Sequence, residues 1–372
     1  MPPTNRTLNP RPDAAILFTG FPGFIGARLL PRILELRPET RIACLVQERF
    51  AELARQQIHE IEARHPEARG RLQTVYGDIT EAGLGLESSA AKALRDDLVG
   101  CFHLAAVYDL AVSRELGFKI NVLGTRHVLE FLAEARRLER LDYVSTAYVS
   151  GTATGTFREN DLAVAQSFKN HYEETKYLAE VEVVRSGLPR TIYRPGIVVG
   201  DSRTGETAKF DGPYFLLTAF EKLPSPGVFI RIGAGANSVN LVPVDFVIEA
   251  LARLSASPAS LGKTYHLTDP NPLPALEIAK LLARGLGKRF VFLPVPLRVA
   301  KAFLGLAPLQ RFFGLPAQAL DYFDHPCRYD STEATRDLAA FGIPCPRLPE
   351  YVDVLIAFYK AQRHQVRRKA MI

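Results

Sequence analysis

The 372-residue sequence contains no tryptophan, only two methionines and only four cysteines. The cysteines show no Cys-x-x-Cys spacing, which argues against a disulfide framework and a zinc site and favours a reducing compartment. No uninterrupted apolar stretch is long enough to span a bilayer. Residues 1–13 are polar and proline-rich without the apolar core of a signal peptide, and we interpret them as a flexible tail. We therefore expect a cytoplasmic protein with no transmembrane segment and no metal ion.

Charge of one sign is not concentrated in the body of the chain. The formal net charge is +6, and part of it lies in residues 363–372, which we interpret as a solvated basic tail. No basic stripe with interleaved aromatic residues occurs elsewhere, so a nucleic-acid partner is not expected. Apolar residues make up 47% of the chain, which is enough for a well-packed core at this length.

Short apolar runs alternate with longer helical patterns through the first two hundred residues. This alternation predicts βαβ units and an α/β fold with a Rossmann-type, doubly wound parallel sheet. Several runs are apolar throughout, as in strands that are covered on both faces. Strands are predicted at residues 14–19, 41–46, 72–76, 101–105, 141–145 and 191–199, and helices at 24–35, 50–64, 90–98, 118–136 and 172–185.

The pattern changes after Gly200. Glycine and proline punctuate residues 201–238, which predicts loops, whereas 239–270 resemble a further strand and helix of the core. We predict a dinucleotide-binding core over 14–200 and 239–270, and a smaller, mainly helical C-terminal lobe over 201–238 and 271–362 that binds substrate. Within the lobe, residues 296–316 place apolar side chains at helical spacing. Packing in the core or against an apolar substrate is expected, and contact with a membrane surface is the alternative.

A glycine-rich turn follows the first predicted strand and precedes a predicted helix. This placement aims backbone N–H groups and the positive helix end at a diphosphate. Glycine is required because a Cβ would hold the pyrophosphate away from the backbone and the helix away from the strand. The residues assigned to this dinucleotide site are Gly20, Phe21, Gly23, Phe24, Ile25 and Gly26.

The ends of the second and third predicted strands are expected to meet the adenosine half of the cofactor. A carboxylate after the second strand would accept hydrogen bonds from both ribose hydroxyls and would repel a 2′-phosphate. This chain instead has Gln47 at the tip and Arg49, whose charge would neutralise a phosphate, so NADP(H) is modestly favoured over NAD(H); an ordinary surface arginine is the alternative. Asp78, followed by Ile79, is placed to accept from the adenine amino group or to cap a turn.

Tyr172 and Lys176 are the strongest candidate catalytic pair, because four residues of helix place both side chains on one face. A free tyrosine has a pKa of about 10. A nearby ammonium, together with the nicotinamide and its ribose, would lower the pKa of the phenol. Thr146, at the end of the preceding strand, would hydrogen-bond the substrate oxygen, and Asn121 would anchor a water behind Lys176. The arrangement predicts general acid–base chemistry.

Together these motifs resemble the extended short-chain dehydrogenase/reductase superfamily over about residues 14–270. The stretches 143–149, 170–180 and 194–200 are most similar to the fatty acyl-CoA reductase and thioester reductase branch, although Gln47 stands where that branch often carries arginine. The resemblance implies further cofactor contacts. These are Ala105, Ala106, Pro195, Gly196, Ile197 and Val198, with the residues after Arg194-Pro195 lining the nicotinamide. The other matching landmarks are Gly77-Asp78, His103, Gly124-Thr125 and Tyr193-Arg194.

The resemblance implies an NAD(P)H-dependent oxidoreductase that transfers hydride to the carbonyl group of an apolar substrate. A fatty acyl thioester such as acyl-CoA ranks first, with an aldehyde or alcohol as product. A ketone or hydroxysteroid-type dehydrogenase would use the same residues and differ only in the lobe. A nucleotide-sugar epimerase or dehydratase should have a more polar cleft. Peripheral membrane contact and a homodimer are further options, and the histidines are expected to be structural.

Overall fold

The computed structural model describes residues 14–232, 235–304, 317–323 and 325–369. The predicted tail at 1–13, residues 305–316 of the apolar segment predicted at 296–316, and the last three residues of the basic tail lie outside these ranges. The strands are β1 (Ala15–Thr19), β2 (Arg41–Val46), β3 (Leu72–Tyr76), β4 (Leu98–His103), β5 (Arg140–Val144), β6 (Gly155–Phe157), β7 (Arg190–Pro195), β8 (Ile197–Val199), β9 (Gly227–Ile232), β10 (Leu241–Pro243), β11 (Thr264–Leu267), β12 (Phe290–Val295) and β13 (Cys327–Tyr329).

The helices alternate with the strands through the first half of the chain and dominate the second half. They are α1 (Phe24–Leu36), α2 (Ala51–Arg64), α3 (Ser88–Asp97), α4 (Arg114–Gly117), α5 (Gly124–Ala133), α6 (His171–Arg185), α7 (Tyr214–Lys222), α8 (Val244–Ala256), α9 (Ala275–Gly285), α10 (Leu297–Leu304), α11 (Thr332–Ala339) and α12 (Leu348–Lys369). None of the described helices combines the length and the hydropathy needed to cross a bilayer.

The central unit is a seven-stranded sheet in the order β11-β7-β5-β4-β1-β2-β3, with every neighbouring pair parallel. The predicted fold class is therefore confirmed. The direction of winding reverses between β1 and β4, since one chain path leads from β1 to β2 and β3 and the other from β4 outward. In doubly wound sheets, ligands bind in the crevice beyond the carboxyl ends of the strands at this point.

Each face of the sheet is covered by its own apolar core, because side chains of a strand alternate between faces. In β1, Ile16 and Phe18 pack with α1 and α8, where Leu30 and Val247 are fully buried. Leu17 faces the opposite layer, which is formed by α3, α5 and α6. The α8 helix thus joins the core from outside the first two hundred residues, and β11 adds the last strand beside β7.

The predicted strand at 191–199 is interrupted at Gly196, and this break positions the site. The Gly196 N–H still bonds to Leu267 O of the main sheet (3.1 Å), but the Ile197 N–H turns to Asn240 O (2.9 Å). A Cβ on Gly196 would lie 2.8 Å from that same carbonyl oxygen. The chain therefore leaves the main sheet here, and β8 pairs with β10 in a separate two-stranded sheet.

The predicted helix at 118–136 begins earlier and is irregular. It starts at Arg114, where the Ser113 hydroxyl accepts from the Leu116 N–H (3.3 Å). A π-helical turn, Phe118–Leu123, then joins α4 to α5, which ends at Ala133. Single π-turns inside α-helices often accompany functional sites, and this one carries Asn121.

The lobe contains more strand than the sequence predicts. The stretch 201–238 includes α7 and β9, and β12 follows α9, so β9 and β12 pair as a two-stranded parallel sheet. The stretch predicted to be loop-rich thus also contains a helix and a strand, and the stretch predicted to be mainly helical also contains β12. Proline is tolerated at Pro294 because a two-stranded sheet leaves one edge of each strand unpaired. The lobe core is formed mainly by side chains of α7, α9 and α12.

Candidate active site

The turn after β1 contains Gly20, Gly23 and Gly26 and forms a backbone-lined hollow, the glycine cradle, which has no room for side chains at these positions. Gly20 has a φ of +92°, and its carbonyl oxygen accepts from the Gly23 N–H at 3.0 Å. A Cβ on Gly23 or Gly26 would lie 2.7 or 2.6 Å from the same oxygen. The α1 helix that follows has no side-chain cap and no acidic residue in its first turn. Its N–H groups, including those of Phe24 and Ile25, are therefore suited to an anion such as a dinucleotide diphosphate.

The end of β4 lies directly against this turn. A Cβ on Gly20 would come within 2.8 Å of the Ala105 nitrogen, and that N–H donates to the Thr19 hydroxyl at 3.2 Å. Ala106, the next residue, is exposed. The predicted contacts Ala105 and Ala106 are thus brought beside Gly20 and Phe21 at the switch point of the sheet.

Three residues predicted to meet the adenosine form a hydrogen-bonded chain at the ends of β2 and β3. Arg49 Nε donates to Gln47 Oε1 (2.7 Å), and Gln47 Nε2 donates to Asp78 Oδ2 (2.6 Å). The other oxygen of Asp78 accepts from the Thr80 N–H (2.8 Å), so Asp78 also caps its turn. Ile79 packs beneath this turn, in the core layer shared with α5.

Thr146 and Tyr172 lie beside each other at the end of β5. Burial raises the pKa of the Tyr172 phenol, and the neighbouring Thr146 side chain has a smaller, lowering effect. Both residues are buried. On the outer side, the ring of Tyr108 meets the ring of Tyr172 edge-on, with centroids 5.2 Å apart.

Lys176 points its ammonium group at the end of β5. Its Nζ donates to the Tyr143 hydroxyl at 3.0 Å and to Val144 O at 2.8 Å. Burial lowers the pKa of Lys176 to about 8, against a smaller raising effect of Glu180. The sequence predicts that the ammonium, the nicotinamide and its ribose together lower the pKa of Tyr172. This stays a prediction, because it includes the effect of the bound cofactor.

Sequence reasoning missed a buried polar chain that leads from Lys176 to the glycine turn. Tyr143 lies beside Thr125, the Thr125 hydroxyl lies 3.0 Å from His103 Nε2, and His103 Nδ1 lies 2.7 Å from the Thr19 hydroxyl. Burial lowers the pKa of His103 to about 3, so this imidazole is neutral. The only sequence signal was the occurrence of polar residues inside strands and helices that are otherwise apolar.

A second missed feature is a buried ion pair one helical turn beyond Lys176. Arg194 Nε donates to Glu180 Oε1 at 3.0 Å, and the Ser145 hydroxyl donates to the other carboxylate oxygen. Arg194 also donates to Glu159 O (3.2 Å). Because Ser145 precedes Thr146, this pair ties the end of β5 to α6 and β7. The Arg194-Pro195 landmark was noted in the sequence, but its partner was not.

Asn121 holds the backbone beside the site. Its Oδ1 accepts from the Val107 N–H (2.9 Å), and its Nδ2 donates to the Thr175 hydroxyl (3.0 Å). Thr175 is the neighbour of Lys176, so the π-turn is fastened to α6. The predicted role in holding a water behind Lys176 stays a prediction.

Residues 196–198, expected to line the nicotinamide, and the expected cofactor contact Pro195 lie where the chain leaves the main sheet. Pro195 and Gly196 are buried, and Ile197 and Val198 are partly buried. They lie at and just after the end of β7, the neighbour of β5, and therefore at the same carboxyl-end crevice as Thr146.

One cluster away from this crevice has metal-ligating side chains. Glu35, His65 and Glu67 approach each other at the surface, with His65 Nδ1 at 3.7 and 3.4 Å from the two carboxylates. Arg32 forms an ion pair with Glu35, so the cluster already contains a cation. The four cysteines are free, and three of them are buried.

Comparison with known proteins supports the resemblance. The family model described as male sterility protein, an NAD-binding domain, matches residues 18–251. The chain is 27% identical over 380 residues to a linear gramicidin synthase of Brevibacillus parabrevis, covering 96% of this chain and 7% of that protein. It is 25% identical over 304 residues to the fatty acyl-CoA reductase wat of Drosophila melanogaster, covering 69% of this chain and 56% of that one. The chain therefore spans only part of these relatives.

The fold is also that of a solved reductase domain. The terminal R domain from the myxalamid PKS-NRPS biosynthetic pathway superposes with a TM-score of 0.78 at 28% identity, covering 94% of this chain and 91% of that domain. The branch expected from residues 143–149, 170–180 and 194–200 is thereby confirmed at the level of family.

Proposed function

The chain belongs to the male sterility protein family of extended short-chain dehydrogenases/reductases, and from this premise we propose that it reduces the carbonyl group of an apolar acyl thioester with a nicotinamide cofactor. The observation that carries the proposal is the neighbouring pair of buried hydroxyl side chains, Thr146 and Tyr172, at the end of β5. Two hydroxyl donors that converge at one buried position form an oxyanion site for a carbonyl oxygen.

The glycine cradle fits the diphosphate of NAD(P)H, which supplies the hydride when bound. The chain's own residues manage the oxygen and the proton. Thr146 and Tyr172 donate hydrogen bonds to the carbonyl oxygen, and Tyr172 transfers its proton as negative charge develops there. Lys176 holds an ammonium charge one helical turn away, which favours the phenolate that remains.

With a thioester, the reduced adduct is a hemithioacetal. Its hydroxyl proton returns to the Tyr172 phenolate as the C–S bond breaks, and the thiolate leaves and takes a proton from solvent. The balance is one hydride and one proton consumed, with an aldehyde and a thiol formed. A second reduction of the aldehyde by the same residues would give an alcohol.

The lobe supports an apolar substrate. A cavity of about 160 Å³ lies between α7, α9 and the β9–β12 sheet, and a dry apolar cavity of about 150 Å³ accepts a molecule as large as benzene. Its lining includes Leu216, Ala219, Phe229, Phe292, Leu320 and Phe323. We assign residues 201–238 and 271–362 to substrate binding on this basis.

A short 3₁₀ segment, Ala317–Tyr322, connects this cavity to the catalytic residues. Leu320 and Phe323 line the cavity, while the Tyr322 ring between them meets the Tyr148 ring edge-on at 4.7 Å. The Tyr322 hydroxyl also accepts from Asn170 (2.9 Å), two residues before Tyr172. An acyl chain in the cavity would thus extend toward Thr146. This apolar lining argues against a nucleotide sugar as substrate.

We further propose NADP(H) as the preferred cofactor, because Gln47 holds the Arg49 guanidinium at the end of β2 where an NAD-specific carboxylate would stand. Cytoplasmic location and assembly as a homodimer remain proposals, and light scattering of the purified protein tests the latter.

The activity is tested by following NADPH absorbance with a long-chain acyl-CoA and, separately, with a long-chain ketone, while trapping any aldehyde formed. Acyl-CoA-dependent oxidation with aldehyde as product supports the thioester assignment. Turnover of the ketone alone assigns the dehydrogenase alternative. Tyr172→Phe should lower kcat by about 10²–10⁴-fold, the usual contribution of a general acid, and leave NADPH binding unchanged. Tyr265→Phe, a buried tyrosine of β11 that bonds to Asp337, is the matched control.

A further inference from the structure

The two-stranded sheet of the lobe exposes an apolar face. Val228 pairs with Val291 and Ile230 with Leu293 in parallel register, so these four side chains share one face. Val228, Val291 and Leu293 are 57%, 62% and 48% exposed. We name these three residues the valine-leucine patch. Exposed large aliphatic side chains that adjoin across two strands are unusual on a surface with no partner.

The exposed patch is not the face with which the sheet packs into the lobe core, because the other face is the buried one. The opposite face carries Phe229, Phe290 and Phe292, whose rings pack against Phe220 of α7. On the patch face, α10 covers the end of the sheet at Ile232, which packs with Ala300. Within the part of the chain that the structure describes, the end at Val228 and Val291 stays exposed, as does Val299 of α10 at 56%.

The sequence segments that form the patch carry basic residues and few acidic ones. Between Glu277 and Asp321 the sequence holds seven lysines and arginines and no acidic residue, and the stretch 222–244 is likewise free of acidic residues. Arg289 and Arg298, which flank β12 and begin α10, are exposed. An exposed aliphatic patch flanked by exposed arginines complements a surface that is apolar inside and negatively charged outside.

We propose that the valine-leucine patch docks on the surface of an anionic lipid bilayer, with Arg289 and Arg298 at the headgroups. Such binding combines buried apolar area with attraction to anionic lipids. A second protein is disfavoured, because three aliphatic side chains are far short of the apolar core of a stable protein interface.

The patch also borders the apolar cavity, so docking would bring the cavity next to the bilayer. Val228 is exposed and at the same time lines the cavity. An apolar chain that leaves the bilayer at this point enters the lobe without crossing water. This last step rests on the proposed function, whereas the docking itself does not.

Co-sedimentation of the purified chain with vesicles tests the docking without any substrate or cofactor. Vesicles of phosphatidylcholine with phosphatidylglycerol should bind the protein more tightly than phosphatidylcholine alone, and added salt should weaken the binding. The double variant Arg289→Glu/Arg298→Glu should bind at least about tenfold more weakly, since each basic residue near such a surface contributes about fivefold. Val291→Asn/Leu293→Asn should weaken binding to both kinds of vesicle.

Val184→Asn/Arg185→Glu, at an exposed site on α6 outside the lobe, is the matched control and should bind like the natural protein. Unchanged thermal unfolding shows that each variant is folded. Failure of the natural protein to bind anionic vesicles, or equal binding by the patch variants, overturns the proposal. A patch-dependent change of oligomeric state without vesicle binding also overturns it and assigns the patch to a protein partner. Loss of reductase activity with retained vesicle binding would reject only the proposed function.

Discussion

The Lys176 ammonium donates to the Tyr143 hydroxyl at 3.0 Å, and both side chains are buried. Tyr143 lies three residues before Thr146 on the same strand end. Buried polar side chains thus lead from Lys176 through Tyr143, Thr125 and His103 to Thr19, which begins the glycine turn. The cofactor cradle and the catalytic lysine therefore lie at the two ends of one row of buried polar side chains.

The pH dependence of turnover should report the charge of Lys176. Burial lowers the pKa of this group to about 8, so the ammonium is present below that pH and is lost as the pH rises through it. We expect kcat/KM to fall about tenfold per pH unit above about 8. Lys176→Arg keeps its charge at all accessible pH values, so it should lack this alkaline limb even where its rate is lower. An unchanged limb in this variant would assign the titration to another group.

Tyr143→Phe should move the same limb without removing Lys176. The substitution deletes one of two acceptors of a buried ammonium, which costs about 1.5–3 kcal/mol and corresponds to a pKa lower by about one to two units. The alkaline limb of kcat/KM should therefore shift to lower pH by about that amount. Tyr265→Phe removes a buried tyrosine hydroxyl that does not contact Lys176 and should leave the limb in place. If kcat/KM fell equally at all pH values and its alkaline limb did not shift, Tyr143 would have only a structural role in packing.

Gly23→Ala should abolish dinucleotide binding. Its Cβ would lie 2.7 Å from the carbonyl oxygen of Gly20, so the turn must open and the N–H groups of α1 move. We expect the NADPH dissociation constant, measured by fluorescence titration, to rise at least about a hundredfold. Gly100→Ala in β4 is the control, because its Cβ would meet ordinary contacts at 3.6 Å. Normal NADPH binding by Gly23→Ala would remove the turn from the cofactor site.

Arg49→Glu should change the choice of cofactor. If Arg49 meets a 2′-phosphate, loss of its charge costs about 1.5–3 kcal/mol, and the ratio of kcat/KM for NADPH over NADH should fall at least about tenfold. Arg55→Glu on the exposed face of α2 is a matched charge reversal and should leave the ratio unchanged. An equal effect of both substitutions would attribute the change to surface charge alone.

The Arg194–Glu180 pair should dominate the stability of the strand ends beside the site. Arg194→Met leaves a buried carboxylate without its cation, which typically costs about 3–5 kcal/mol of the free energy of unfolding. Replacing both residues by methionine should recover part of that loss, because no buried charge remains. Urea unfolding of the single and double variants gives the coupling. Equal stability of Arg194→Met and the natural chain would mean that water reaches Glu180.

Several parts of the fold and site could be predicted because they are local. Gly20, Gly23 and Gly26 follow from what a backbone turn between strand and helix permits, and Tyr172 and Lys176 follow from helical spacing. The break at Gly196 and the strands β9 and β12 were missed for the opposite reason. The break at Gly196 depends on the carbonyl oxygen of Asn240, to which the Ile197 N–H bonds. The strands β9 and β12 stabilise each other although they lie about sixty residues apart in the sequence.

The sequence by itself determined the alternation of strands and helices through the first two hundred residues, the glycine cradle and the shared face of Tyr172 and Lys176, since each depends on neighbours within a few residues. Only the tertiary structure decided where charge and hydrogen bonds go. Lys176 meets Tyr143, Arg194 meets Glu180, and the valine-leucine patch is exposed among the residues that the structure describes, because burial and contacts between distant segments are properties of the packed chain and not of spacing along it.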